Sequence, residues 1–242
     1  AGLPLHRLLG GSRRKVLTSV TIGIEDDVAI AVERARRWIA EGFRVLKIKV
    51  GERWEDDARL VRALRESLGP GIALRADANE GYDEADAGRF LEAAAPYDLE
   101  LLEQPTPAAD ETALARLGRR SSIPIMADEA GLTEADAARL AASRAAAHLN
   151  VKLMKCGGIR PGLAIARRAA AAGIGIMVGC NDESRLAIAA GLHLALAAPG
   201  EVRADLDGHL DLQDDVARGG FFLRDGWLEP SGEPGLGVSV DL

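Results

Sequence analysis

Residues 45–77 read VLKIKVGERWEDDARLVRALRESLGPGIALRAD. The two ends, 45–50 and 72–77, are apolar runs of strand length. Between them, in 53–68, Leu60, Leu64 and Leu68 recur every four residues, with Arg and Glu on the other faces. That is the pattern of an amphipathic helix. A strand, a helix and a second strand at this spacing form a crossover unit with parallel strands.

The unit repeats in both directions. Further strand candidates are 17–24 (LTSVTIGI), 99–103 (LELLE), 123–128 (IPIMAD), 148–153 (HLNVKL), 174–178 (IGIMV) and 201–206 (EVRADL). Helical patterns fill 25–41, 83–95, 110–118, 133–144, 160–172 and 184–197. The first opens on Glu25-Asp26-Asp27, acidic residues suited to a helix N-terminus. Thr133 and Asp136 have capping-box spacing, with Asp in place of the usual Glu. Eight strands and seven intervening helices favour a closed α/β barrel over an open doubly wound sheet. No clear helix follows the eighth strand; residues 206–242 are rich in Gly, Asp and Pro and end in GLGVSVDL, a short strand candidate.

Composition agrees. The chain has 242 residues, 48% hydrophobic and 28% charged, with a net charge of −7. One barrel domain of about 250 residues accounts for this length. The acidic balance argues against nucleic acid or an anionic membrane as partner. No apolar run reaches the roughly 20 residues needed to span a bilayer. With no export leader and only Cys156 and Cys180, the expected compartment is the cytoplasm.

Lysine is the informative residue type. The 30 basic residues comprise 25 Arg and only five Lys, of which Lys47, Lys49, Lys152 and Lys155 fall in two short segments. Base composition explains an arginine excess; it does not explain lysine persisting at two places. Lysine can lose its proton and act as a base, whereas arginine cannot.

Those segments are strand ends, where barrels carry their chemistry. From Lys49 to Asp77 is 28 residues, then 26 to Glu103, 25 to Asp128 and 24 to Lys152. Each step is one strand–helix unit, so the charges recur at one level of the barrel. An ionisable group inside an apolar strand is costly unless paired or liganded. Asp77, Glu103 and Asp128, on three neighbouring strands, form an oxygen-only set suited to a hard ion such as Mg²⁺. Lys47 and Lys49 project to one face of their strand, and mutual repulsion lowers the pKa of one of them. Strands 2 and 6 of an eight-stranded barrel are opposite, which gives a substrate on the metal a lysine on each side. Lys155, three positions past Lys152, is expected on a loop or surface. His6, His148, His193 and His209 show no ligand spacing.

KIK (47–49), DAN (77–79), EQP (103–105), ADE (127–129) and NVKLMKCGG (150–158) together resemble the barrel of the enolase superfamily, in its muconate-lactonizing subgroup. The resemblance implies a modified TIM barrel, (β/α)7β, over 17–208. Residues 1–16 would be a connector from an N-terminal capping domain, and 209–242 a tail that normally packs on that domain. It implies Lys49 and Lys152 as the acid/base pair and Mg²⁺ on Asp77, Glu103 and Asp128. Lys47 would hold the substrate carboxylate, and an ene-diolate would be stabilised by the metal, as in sites of that superfamily. Asp205 and Asp207 in ADLDGHLDL are similar to the DxD signature of dipeptide epimerases, where paired carboxylates receive an α-ammonium group. Thr21 and Cys180 match positions lining the dipeptide site, and Glu183 a comparable glutamate.

The expected activity is therefore Mg²⁺-dependent epimerisation of Ala-Glu-like or hydrophobic dipeptides by proton transfer at the C-terminal residue's α-carbon. The partner is a small molecule, with homo-oligomerisation open. Two other readings stand beside it: an o-succinylbenzoate synthase-like lyase or cycloisomerase, which needs no ammonium receptor, and a barrel without its cap that binds Mg²⁺ without turnover.

Overall fold

The computed structural model describes residues 1–25 and 27–241. After a one-turn helix α1 (Leu5–Leu8) and a two-residue strand β1 (Val16–Leu17), strands and helices alternate. The order is β2 (Val20–Ile22), α2 (Val28–Ala40), β3 (Val45–Lys49), α3 (Trp54–Leu68), β4 (Ala73–Asp77), α4 (Glu84–Ala94), β5 (Leu99–Glu103), α5 (Glu111–Arg120), β6 (Ile125–Ala127), α6 (Glu134–Ser143) and β7 (His148–Lys152). Then come α7 (Leu153–Cys156), α8 (Ile159–Ala171), β8 (Gly175–Gly179), α9 (Arg185–Ala197) and β9 (Val202–Asp205). The tail adds β10 (Ala217–Gly219), β11 (Phe221–Arg224), β12 (Trp227–Pro230) and β13 (Val238–Val240). Strands β2 to β9 follow chain order in one eight-stranded sheet, and a single 3₁₀ turn (Gly208–Leu210) takes the place of an eighth helix. This is the (β/α)7β order. Among the described residues no helix is long and apolar enough to cross a membrane.

The chain divides into two compact units, Val20–Leu149 and Ala1–Ser19 with Asn150–Leu242. In the first, Lys49 pairs with Asp77 and, past a register shift between Leu74 and Arg75, Asp77 pairs with Glu103, so three strand ends lie level. Leu46, Ile48, Leu74, Leu101, Leu102, Met126 and Leu149 are completely buried around them. Each such side chain contributes roughly 1.5–3 kcal/mol of hydrophobic stabilisation.

The helices begin where short polar side chains can cap them. Asp27, Asp83 and Asp110 accept from the backbone N–H of Ala29, Asp86 and Ala113. Thr133 and Asp136 form the complete reciprocal capping box. Two local expectations shift. Helix α2 starts at Val28 rather than 25, because Asp27 is extended and serves as the cap, while Glu25 pairs with Arg34 at 2.9 Å. Asp26, part of the expected acidic entry, lies outside the described residues. In α3 the buried stripe is Ala58, Val61 and Leu64, with Leu60 and Leu68 only half-buried. A strict four-residue repeat drifts about 40° per step around a helix of 3.6 residues per turn, so it cannot stay on one face.

In the second unit the expected strand 17–24 is not continuous. Val16 and Leu17 pair antiparallel with β12 in the tail. At Thr18 the backbone changes partner: its N–H donates to Gly226 and its Oγ1 accepts from the Leu206 N–H, while the Ser19 N–H donates to Ala204. The tail folds within this unit, as the three-stranded sheet β1-β12-β11 and the pair β10-β13. Together with α1 it packs on α9, which explains why Ile188, Ala189 and every residue from Gly191 to Leu196 are buried. An amphipathic helix covered on its second side is apolar all round.

That packing encloses a histidine pair that the sequence did not suggest. The His6 N–H donates to His193 Nδ1 at 3.0 Å, and the two Nδ1 atoms are 3.1 Å apart. His193 also bonds the Leu236 backbone. Burial, then the neighbouring His6, pulls the His193 imidazole down to about 4; burial and Arg7 lower His6. Because the folded-state value is below the ordinary 6.5, the pair's contribution is present above that pH. It is lost as pH falls from about 6.5 through about 4. The loss should reach roughly 3 kcal/mol. The thermal midpoint should therefore drop steeply between pH 6.5 and 4, and His193→Gln should flatten that drop; an equally steep profile in the variant would overturn it.

Candidate active site

In the first unit the charged strand ends converge. Asp77, Glu103 and Asp128 are completely buried, which is tolerable for carboxylates only beside cations or donors. Lys47 and Lys49 supply the cations and, as their two-residue spacing requires, reach the same group. Lys49 Nζ donates to Asp77 Oδ2 at 2.8 Å; Lys47 Nζ stands 3.7 Å from Asp77 Oδ2 and 3.8 Å from Glu103 Oε2. The two lysines differ in access: the Lys47 side chain is 4% exposed and the Lys49 side chain 28%. Lys49 is thus the one open to an incoming molecule. Thr21 lies half-buried beside Lys47 in the β2–β3 ladder.

Two residues that sequence reasoning passed over hold this cluster. Asn79, at φ +42°, accepts from Lys49 Nζ at 2.6 Å and donates its N–H to Asp77 Oδ1 at 3.1 Å. Gln104, completely buried at φ +32°, accepts on Oε1 from the N–H groups of Asp128 (3.0 Å) and Ala130 (3.2 Å). Its Nε2 donates to the Thr106 carbonyl at 2.8 Å. Left-handed φ at non-glycine residues just after strand ends is strain characteristic of functional loops. The only sequence signal for either residue is its place inside the DAN and EQP triplets.

In the second unit Lys152 is 5% exposed at the end of β7 and donates to Asn181 Oδ1 at 3.4 Å. Asn181 in turn donates its N–H to Glu183 Oε1 at 3.4 Å. Burial pushes the Glu183 carboxyl up, against the opposing charge of Lys152. Gly179 is required here, because a Cβ would sit 2.3 Å from Asn150 Oδ1. Asp205 and Asp207 are 1% and 6% exposed. Asp205 Oδ1 accepts from the Ser19 hydroxyl at 2.6 Å, and the Cys180 thiol lies 3.8 Å from Asp207 Oδ1. Neither Cys180 nor Cys156 is in a disulfide. Lys155, expected on a loop, belongs to the short helix α7 and is half-buried.

Donor chemistry fits a hard dication at Asp77, Glu103 and Asp128, since the set is all carboxylate and buried. Asp77 and Glu103 are drawn toward the ammonium groups of Lys47 and Lys49. Among the described residues no three His, Cys, Asp or Glu side chains are gathered closely enough to hold an ion.

A (β/α)7β barrel with acids and lysines at successive strand ends defines a class of barrel enzymes, and similarity to known proteins specifies it. Residues 31–242 match the family described as Enolase C-terminal domain-like, and the chain belongs to that family. It is 45% identical over 238 residues to the L-Lys-D/L-Arg epimerase of Methylococcus capsulatus, covering 98% of this chain and 67% of that protein. It is 40% identical over 241 residues to the hydrophobic dipeptide epimerase of Enterococcus faecalis, covering 99% of this chain and 68% of that one. The crystal structure of the Methylococcus capsulatus dipeptide epimerase complexed with Mg and the dipeptide L-Arg-D-Lys superposes with a TM-score of 0.91 at 44% identity, over 99% of this chain and 68% of that one. These relatives are isomerases.

Replacing Gln104 with Leu removes the acceptor for two buried N–H groups. An unsatisfied buried donor costs about 1–3 kcal/mol. Urea unfolding of Gln104→Leu should show a loss of at least about 2 kcal/mol; a midpoint equal to wild type would contradict this account of the residue.

Proposed function

We propose that this chain is the barrel of a Mg²⁺-dependent dipeptide epimerase that moves the α-proton of the C-terminal residue. The observation that carries the reading is the buried cluster of Lys47, Lys49, Asp77 and Glu103 at level strand ends. Similarity to dipeptide epimerases over nearly the whole chain supports it.

The chemical problem is that a proton α to a carboxylate is very weakly acidic, because its removal doubles the negative charge. Lys47 holds the substrate carboxylate from a buried position. Asp77, Glu103 and Asp128 would hold Mg²⁺, which when bound supplies positive charge to that carboxylate as the proton leaves. Lys49, the more exposed lysine, takes the proton on Nζ, and the C–H electron pair moves toward the carboxylate. Lys152, from the sixth barrel strand, returns a proton to the other face of the carbon. The reverse reaction exchanges the two roles. Asp205 and Asp207 receive the α-ammonium group of the N-terminal residue, and Thr21 and Cys180 line the same site. A lyase or cycloisomerase of the subgroup has no use for two buried carboxylates at and just beyond the end of β9, so the epimerase reading is preferred.

Dipeptide turnover in D₂O tests this. Wild type should incorporate deuterium at the C-terminal α-carbon, chelation of Mg²⁺ should stop it and Mg²⁺ should restore it. Lys49→Ala and Lys152→Ala should each lower epimerisation by about 10²–10⁴-fold, the usual worth of a positioned acid or base. Turnover unchanged by either substitution would overturn the assignment.

A further inference from the structure

We propose that Ser19 is a positioning residue for the substrate's α-ammonium group, acting through Asp205. The inference rests on the reading of Asp205 and Asp207 as ammonium receptors. Ser19 is completely buried, and its hydroxyl donates to Asp205 Oδ1 at 2.6 Å. The donor itself is fixed by the backbone, since the Ser19 N–H is bonded to the Ala204 carbonyl at 3.1 Å. The acceptor is fixed on both sides, because Thr18 Oγ1 takes the Leu206 N–H at 2.8 Å. Residues 204 and 206 are therefore both tied to the 18–19 segment, with Asp205 between them.

An ammonium group binds through N–H donors of set direction, so a receptor carboxylate must keep its orientation. A carboxylate side chain has two free torsions. A short charge-assisted bond from a donor anchored by backbone removes that freedom before substrate arrives. Ser19 lies near the start of the stretch 17–24 expected to be plain strand, and the expected lining residue there was Thr21. The break in that strand at Thr18 brings the Ser19 hydroxyl to Asp205.

The test separates recognition of the ammonium from folding. Calorimetric titration with Mg²⁺ present would compare L-Lys-L-Arg with its α-N-acetyl derivative, which lacks that ammonium. Wild type should prefer the free amine. Ser19→Ala should cut this preference about tenfold, with affinity for the acetylated probe unchanged; Ser19→Thr, which keeps the hydroxyl, should restore it. In an Asp205→Asn background, Ser19→Ala should have no further effect on the preference. Retention of the full preference in Ser19→Ala, or an equal loss for both probes, overturns the inference and leaves the receptor reading standing. A wild type that binds both probes equally, or neither, removes the receptor reading and the inference with it.

Discussion

Burying carboxylates at the ends of parallel strands is the constraint on which this molecule depends. Asp77, Glu103 and Asp128 have no exposed surface, and the apolar residues beside them offer nothing to a negative charge. The fold meets that cost at Asp77 and Glu103 with Lys47 and Lys49 on one strand face and with the Asn79 N–H on Asp77, while Gln104 satisfies the backbone N–H groups of Asp128 and Ala130. The same cationic surroundings make the place fit for a substrate carboxylate and a hard metal ion. Stability and chemistry draw on one arrangement of charge: remove a cation or a donor, and a buried acid is left without compensation.

In the second unit the Ser19 hydroxyl holds Asp205, and the Cys180 thiol lies near Asp207. The tail makes this possible. By pairing with β1 it takes Leu17 out of the expected strand 17–24 and lets Thr18 and Ser19 engage β9. By covering α9 with α1 it also encloses His6 and His193, which have no connection with the proposed chemistry and are kept neutral by burial.

Much was legible in the linear order. The eight strands were found within a few residues, because apolar runs separated by amphipathic stretches carry their own periodicity. The seven crossover helices were found as well, and the Thr133 cap was identified from spacing alone. The one-turn helix α7 left no periodic signal, being shorter than one repeat of any pattern. Of the leucine repeat in α3 only Leu64 reaches the buried stripe, since residues four apart drift around a helix and leave Leu60 and Leu68 half-buried. The split of the first strand was illegible for another reason: β-structure records that a residue is extended, not which partner it bonds.

The sequence by itself determined the α/β alternation, the level of the charges on successive strands and the kinds of groups present. Those follow from local periodicity and from the even length of the repeating unit. Only the tertiary structure decided which partner each charge takes: Lys47 on two acids, Gln104 on the Asp128 backbone, Ser19 on Asp205, His6 on His193. Those contacts join residues from 24 to 187 positions apart. Their energy exists only once packing has excluded water from both members of a pair, and no pattern within a single segment encodes that.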